Sequence, residues 1–310
     1  MFTKLIILGL VFAAGYASQR GRTCAVSAAF EIAKRRRARR FVGYLFAAAC
    51  SLVVLSLVSL FDQGVFAGFT AQGLSGSTLL GGVVFAVGAW INGRCSLGTI
   101  ARLGSGDLVR LGTLAGIFCG TILGVFASPH PISTGDSAIF AALAPPMRIG
   151  GATAVMLMLA LLVWRLVPRD FNPSQWSVFK AMLIIGLVNG LLVWLARDWS
   201  YTSLFRHVAR GESGAGFGLL CFAILVAGAV TAGIVSRQLV WRIGLPREWL
   251  LALAGGLLMG VGVVLVPGGN DTMLLVGLPL LLPQLIAGYA VVYATLILIA
   301  WLTPDRPVAA

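Results

Sequence analysis

Charged side chains make up only 11% of the 310 residues, and just ten of them are Asp or Glu. So little charge cannot cover the surface of a water-soluble domain, the more so because 59% of the residues are hydrophobic and the mean hydropathy is +0.96. Histidine is almost missing: His130 and His207 fall in predicted loops, with no carboxylate or cysteine at ligand spacing, so no metal site is expected. The five cysteines (Cys24, Cys50, Cys95, Cys119, Cys221) are odd in number and show no CxxC spacing. That argues against both a disulfide framework and a zinc cluster. No nucleotide-binding motif is present, and no cofactor is implied. What remains is an all-α, polytopic membrane protein.

The net charge of +13 and pI near 10.6 would suggest nucleic acid in a soluble chain. Here the basic residues sit in short loops between apolar runs, so their expected partner is membrane lipid on the cytoplasmic side. The opening apolar run, Leu5 to Ala17, follows Lys4 and has the look of a secretory signal. Cys24 and the basic block after it read instead as part of the membrane core, so the segment is expected to be retained.

Apolar length predicts nine spans: 5–18, 41–61, 77–92, 110–127, 147–167, 177–196, 214–235, 247–266 and 283–303. Short apolar pieces follow four of them, at 24–33, 95–103, 199–208 and 271–280. These are too brief for a hydrocarbon core that needs roughly 20 residues, and they read as half-helices.

The block from Lys34 to Arg40 is expected in the cytoplasm, which places the amino terminus outside and the carboxyl terminus inside. Alternation then puts Arg110, Arg165, Arg169, Lys180, Arg237, Arg242 and Arg247 inside. Loops 62–76 and 128–146, which lack Lys and Arg, fall outside. The 197–213 loop is the exception, because Arg197, Arg206 and Arg210 are then external.

Two stretches 174 residues apart resemble each other. Gly81, Gly82 and Gly88 fall in register on Gly255, Gly256 and Gly262, and Cys95 falls on Gly269. With four spans before 147–167 and four after it, that helix reads as a connector, and a single extra crossing inverts the second copy. The expected organisation is a first repeat at 1–146, a connector at 147–175 and an inverted second repeat at 176–310, in one membrane domain. Paired interrupted segments point to a transporter's central site, and irregular backbone at membrane depth is tolerable only around a cavity or inside protein.

The breaks carry specific chemistry. The first reads Arg20-Gly21-Arg22-Thr23-Cys24, and another reads Asn92-Gly93-Arg94-Cys95-Ser96. Each cysteine stands at the start of a short helix, where free N–H groups and the positive dipole end favour a bound anion. An anion with a polarizable sulfur would suit both the backbone and the thiols. Arg94 is the leading arginine, since one at membrane depth is a functional suspect by default. Arg102 reads either as part of this field or as a clamp on Asp107. Asn270-Asp271 opens the last half-helix, as a helix cap or as a binding or proton-coupling pair. Arg197-Asp198 reads as an interfacial ion pair. Cys50, Cys119 and Cys221 read as small core hydrophobes, and Gly116, Gly120 and Gly124 as one packing face.

The run from Gly93 to Gly106, the Cys24 break, and the glycine-rich stretch from Gly255 to Asp271 resemble the YeeE/YedE family of sulfur-compound transporters. The resemblance implies an inner-membrane permease, not an enzyme, for thiosulfate or a related small sulfur-containing anion. It implies passage through a constriction lined by cysteines, with Cys24 and Cys95 as two of them. The family's third cysteine is Gly269 here, leaving Asn270 and Asp271 on that side. The expected binding set is Cys24, Cys95, Arg94, Gly93, Ser96, Gly269, Asn270 and Asp271. Two other classes stay open. One is a thiol oxidoreductase or sulfur-transfer subunit working with a soluble sulfur-carrier protein. The other is a structural membrane subunit that docks a partner.

Overall fold

The computed structural model describes residues 2–66, 69–127, 136–137, 143–166, 176–197, 199–212 and 215–303. His130, Arg169 and Asp198 lie outside the described residues. Six helices come first: α1 (Phe2–Arg20), α2 (Ala25–Arg35), α3 (Arg39–Val58), α4 (Gly76–Asn92), α5 (Ser96–Leu103) and α6 (Val109–Ala127). Then comes α7 (Pro145–Leu166). Six more follow: α8 (Val178–Ala196), α9 (Tyr201–Ala209), α10 (Ala215–Val235), α11 (Pro246–Leu265), α12 (Asn270–Thr272) and α13 (Pro283–Leu302). A π-helical turn, Met273–Gly277, extends α12. Its Leu275 carbonyl accepts a bond from Asn189 Nδ2 at 2.6 Å, so the wide turn leaves this group satisfied.

Among the described residues nine helical segments are long and apolar enough to cross a bilayer, with mean hydropathy between 1.3 and 2.4. All nine expected spans are among them, and the four short pieces are α2, α5, α9 and α12 with its π turn. The fold is therefore all-α and polytopic. A two-residue ribbon, Thr70–Ala71 against Asp136–Ser137, ties together the loops after α3 and α6.

Packing follows a pattern. Helix α1 lies on α10, and α3 on α8; α4 lies on α13, and α6 on α11; α2 meets α13, and α9 meets α6. Helices α1 and α8 cross each other, as do α4 and α11. Exchanging α1–α6 for α8–α13 in order turns each of the first six pairings into another of them and leaves α1 on α8 and α4 on α11 unchanged. Helix α7 stands apart from the exchange. It packs on α3 and turns Met147, Leu157, Met158 and Leu161 outward, as a helix bordered by lipid would.

Glycine makes the close crossings. A Cβ on Gly88 would sit 2.6 Å from the carbonyl oxygen of Gly255, and one on Gly255 would sit 2.6 Å from that of Gly88. Along the same crossing, Gly262 would meet the Gly81 carbonyl at 2.8 Å. Real Cβ atoms do not approach so closely, so α4 and α11 touch backbone to backbone. Gly116 and Gly120 do the same for α6 against Leu253 and Leu257. Cys50 and Cys221 are buried, with Cys50 Sγ 3.9 Å from Met156 Sδ. Cys119 departs from the expected core role. It sits on α6 one residue before Gly120, off the face that meets α11, and is exposed.

Candidate functional site

The four breaks share one local design. Helix α1 ends in a Schellman arrangement: Arg22 N–H donates to the Gln19 carbonyl and Thr23 N–H to that of Ser18, with Arg22 left-handed at φ 48°. Helix α4 ends on left-handed Gly93 (φ 72°), and α8 on Arg197 (φ 58°). Two or three residues later the chain turns extended and a short helix begins. The residues at those starts are Cys24 for α2, Cys95 for α5, Ser200 for α9 and Gly269 for α12. Cys95 and Gly269 have nearly one backbone conformation (φ −80°, ψ 179° and φ −79°, ψ 179°).

The first-half breaks bring the thiols together. Cys95 Sγ lies 4.0 Å from Cys24 Sγ and accepts a bond from the Ala25 amide at 3.1 Å. Both side chains are buried, at 2% and 0% exposure. Gly98 makes this possible, because a Cβ there would stand 2.8 Å from Cys24 Sγ. A polar network fixes the break before Cys95. Asn92 Nδ2 donates to the Arg94 carbonyl (2.7 Å), while Asn92 Oδ1 accepts from Arg110 (2.8 Å) and from Thr113 (2.7 Å). Arg110 in turn pairs with Asp107 at 3.1 Å, and Arg242 reaches the same carboxylate at 3.7 Å. Asp107 thus engages Arg110 and Arg242, which the sequence did not suggest, and it also lies within electrostatic range of Arg102, its N–H donating to the Arg102 carbonyl at 3.2 Å.

Cys24 opens onto a cavity of about 380 Å³ whose lining includes Arg22, Arg35, Arg37, Arg39, Arg40, Arg94 and Arg102, with Glu31 as its one carboxylate. Arg94 Nη1 donates to Ser27 Oγ at 3.3 Å on its wall. Seven guanidinium groups against one carboxylate make this mouth strongly attractive to anions.

The second-half breaks are built from hydroxyls. Ser200 accepts from the Ser203 amide (3.1 Å) and shares hydrogen bonds with Thr202 (3.1 Å) and Thr272 (3.0 Å). Thr202 donates to Asp271 Oδ1 at 2.8 Å. Helix α5 packs on α12, so the Cys95 and Gly269 breaks adjoin. A Cβ at Gly269 would come 2.5 Å from Asp271 Oδ1 and 2.6 Å from Thr202 Oγ1. The space of a third thiol is thus filled by a hydroxyl and a carboxylate. Asp271 also lines a small cavity of about 60 Å³ with Ser18, Asn189, Ser200 and Tyr201.

Of the expected residues, the structure gathers Cys24, Cys95, Ser96, Gly269, Asn270 and Asp271 in the buried centre, with Gly93 and Arg94 at the rim. Asn270 is not the helix cap. Gly269 holds that position, and the wholly buried Asn270 amide has no hydrogen-bond partner among the described residues. Arg206 is not a loop charge: it lies buried on α9 and donates to the Pro267 carbonyl at 2.8 Å, joining two breaks. His207 bonds Glu212 across the turn after α9, a partner its sequence spacing did not suggest. Sequence reasoning missed Ser200, Thr202 and Arg206. Extending the repeat register from Cys24 by about the same offset as from Cys95 would have found Ser200.

Nine apolar spans among the described residues, interrupted at breaks that bury a thiol pair beside a basic mouth, define a multi-pass membrane protein with a buried polar centre. The sulphur transport family matches residues 20–298, nearly the whole chain. The chain belongs to that family, the YeeE/YedE group of membrane proteins. No curated protein matches it.

Proposed function

We propose that this protein is an inner-membrane permease for a small sulfur-containing anion such as thiosulfate, which passes the Cys24–Cys95 constriction. The observation that carries this reading is the meeting of two buried thiols, 4.0 Å apart, at the starts of two short helices. A thiol is a weak donor and a soft contact for sulfur, and helix starts offer a partial positive charge without a fixed counter-ion. An anion held this way is bound and still free to leave.

The exchange of packing partners between α1–α6 and α8–α13 supports two inverted repeats at 1–146 and 176–310, joined by the connector at 147–175. With the Lys34–Arg40 block in the cytoplasm, the basic cavity is the exit side and the amino terminus is outside. Arg94, Gly93 and Ser96 shape the thiol side; Gly269, Asn270 and Asp271 shape the opposite side.

The test is uptake of radiolabelled thiosulfate and sulfite into membrane vesicles, with and without a proton gradient. Cys24→Ala and Cys95→Ala are each expected to abolish uptake while the protein still inserts. Wild-type uptake in both variants would remove the thiols from the pathway.

A further inference from the structure

Tyrosine is rare in this chain, five residues in 310, and four of the five are buried. Tyr44 of α3, Tyr201 of α9, and Tyr289 and Tyr293 of α13 are each 4% exposed or less. All four lie within electrostatic range of Cys95, and Tyr44 within range of Cys24 as well. The Tyr289 and Tyr293 rings stand 4.8 Å apart, and Tyr44 is in range of both.

None of the four hydroxyls makes a hydrogen bond of ordinary length and angle among the described residues, although those of Tyr289 and Tyr293 face each other and that of Tyr201 faces Ser96. Nine in ten buried polar groups in proteins do have one, so a cluster of exceptions calls for a reason. Packing is not the reason, since phenylalanine would fill the same space without burying an unmet donor. The chain uses that solution around Tyr201, where Phe205 and Phe222 pack on the Tyr201 ring and Phe118 packs on Phe205. The flank formed by α3 and α13 carries phenols instead.

We propose that the hydroxyls of Tyr44, Tyr289 and Tyr293 bind the oxygen end of an S-oxoanion whose terminal sulfur rests against the thiols of Cys24 and Cys95. This deepens the transport reading above and rests on it. The chemistry divides by hardness. Sulfonate-type oxygens are hard acceptors that match O–H donors, whereas a terminal sulfur is large and polarizable and matches S–H. Three neutral donors also replace part of the anion's hydration without adding the charge that a buried arginine would, so release stays fast. An anion with oxygens at one end and sulfur at the other satisfies both halves. Hydrosulfide, which has no oxygen, would engage only the thiols.

The test is titration of the purified full-length protein with thiosulfate, sulfite and hydrosulfide, for wild type, Tyr44→Phe, Tyr289→Phe and Tyr293→Phe, with thermal melting of each. Each Tyr→Phe change is expected to weaken thiosulfate and sulfite binding about 10-fold, the loss of one hydrogen bond to a charged group, and to leave hydrosulfide affinity and melting temperature near wild type. Unchanged thiosulfate affinity in all three variants would overturn the proposal. So would equal losses for all three anions, which would mark the phenols as structural. If the wild type binds none of the anions, the transport reading itself fails; binding by wild type with indifferent phenols fails only this inference.

Discussion

Gly98→Ala adds a single methyl group at the point where α5 meets Cys24. Its carbon would lie 2.8 Å from Cys24 Sγ, 3.0 Å from Cys24 Cβ and 3.4 Å from the Thr23 carbonyl. Comfortable contact begins at about 3.5 Å, so the thiol must retreat by roughly 0.7 Å. Little space receives it, because Cys24 is 2% exposed and Cys95 Sγ is already 4.0 Å away. Overpacking of this kind costs about 1–3 kcal/mol, and alanine's better helix propensity returns about 0.5–1 kcal/mol. The variant should therefore fold and insert. If the strain is felt when the anion passes, the same 1–3 kcal/mol becomes a loss of about 5- to 150-fold in rate. The assay is the initial rate of radiolabelled thiosulfate uptake into vesicles, normalised to inserted protein, with Gly9→Ala as control because nothing lies within 4 Å of a Cβ there. Wild-type uptake by Gly98→Ala would refute the claim that the position of Cys24 against α5 matters to transport.

Other substitutions probe the same frame. From sequence alone Gly269→Cys restores the family's third thiol; the structure instead predicts destabilisation by about 1–3 kcal/mol, because the new Cβ meets Asp271 and Thr202. Adding Thr202→Ala should recover part of that loss in a melting experiment, and a Gly269→Cys protein as stable as wild type would contradict the geometry. Asn92→Leu removes the acceptor shared by Arg110 and Thr113; Arg110 keeps the Asn92 backbone carbonyl and Asp107, so the cost is about 1–3 kcal/mol, chiefly for the buried Thr113 hydroxyl. Its melting temperature should fall, and uptake with it, since the same side chain holds the Arg94 carbonyl. Gly120→Val drives a side chain into the Leu257 backbone and should abolish the folded peak in size-exclusion chromatography. A monodisperse Gly120→Val protein would show that α6 and α11 can separate at no great cost.

Hydropathy and local motifs are enough to locate the spans, the half-helices and the two thiol-bearing breaks. A bilayer demands long uninterrupted apolar runs, so a piece such as 95–103, too short to cross, announces an interruption. Cys24 and Cys95 were legible for a local reason as well, since each directly begins a short helix beside arginine and glycine. The packing of separate helices is what brings the sulfurs of Cys24 and Cys95, 71 residues apart, to 4.0 Å. The same packing shows that Thr202 and Asp271 fill the space beside Gly269, that Arg206 is buried on the Pro267 carbonyl, and that Tyr44 lies within electrostatic range of Tyr289 and Tyr293. Each of these last residues looks ordinary in its own helix: a tyrosine in an apolar run, an arginine near a loop. Their positions come from helix crossings such as Gly88 on Gly255, where the missing side chains let distant segments approach to backbone contact. Hydropathy is a property of consecutive residues, whereas a binding site is made of side chains that the packing of separate helices brings into reach.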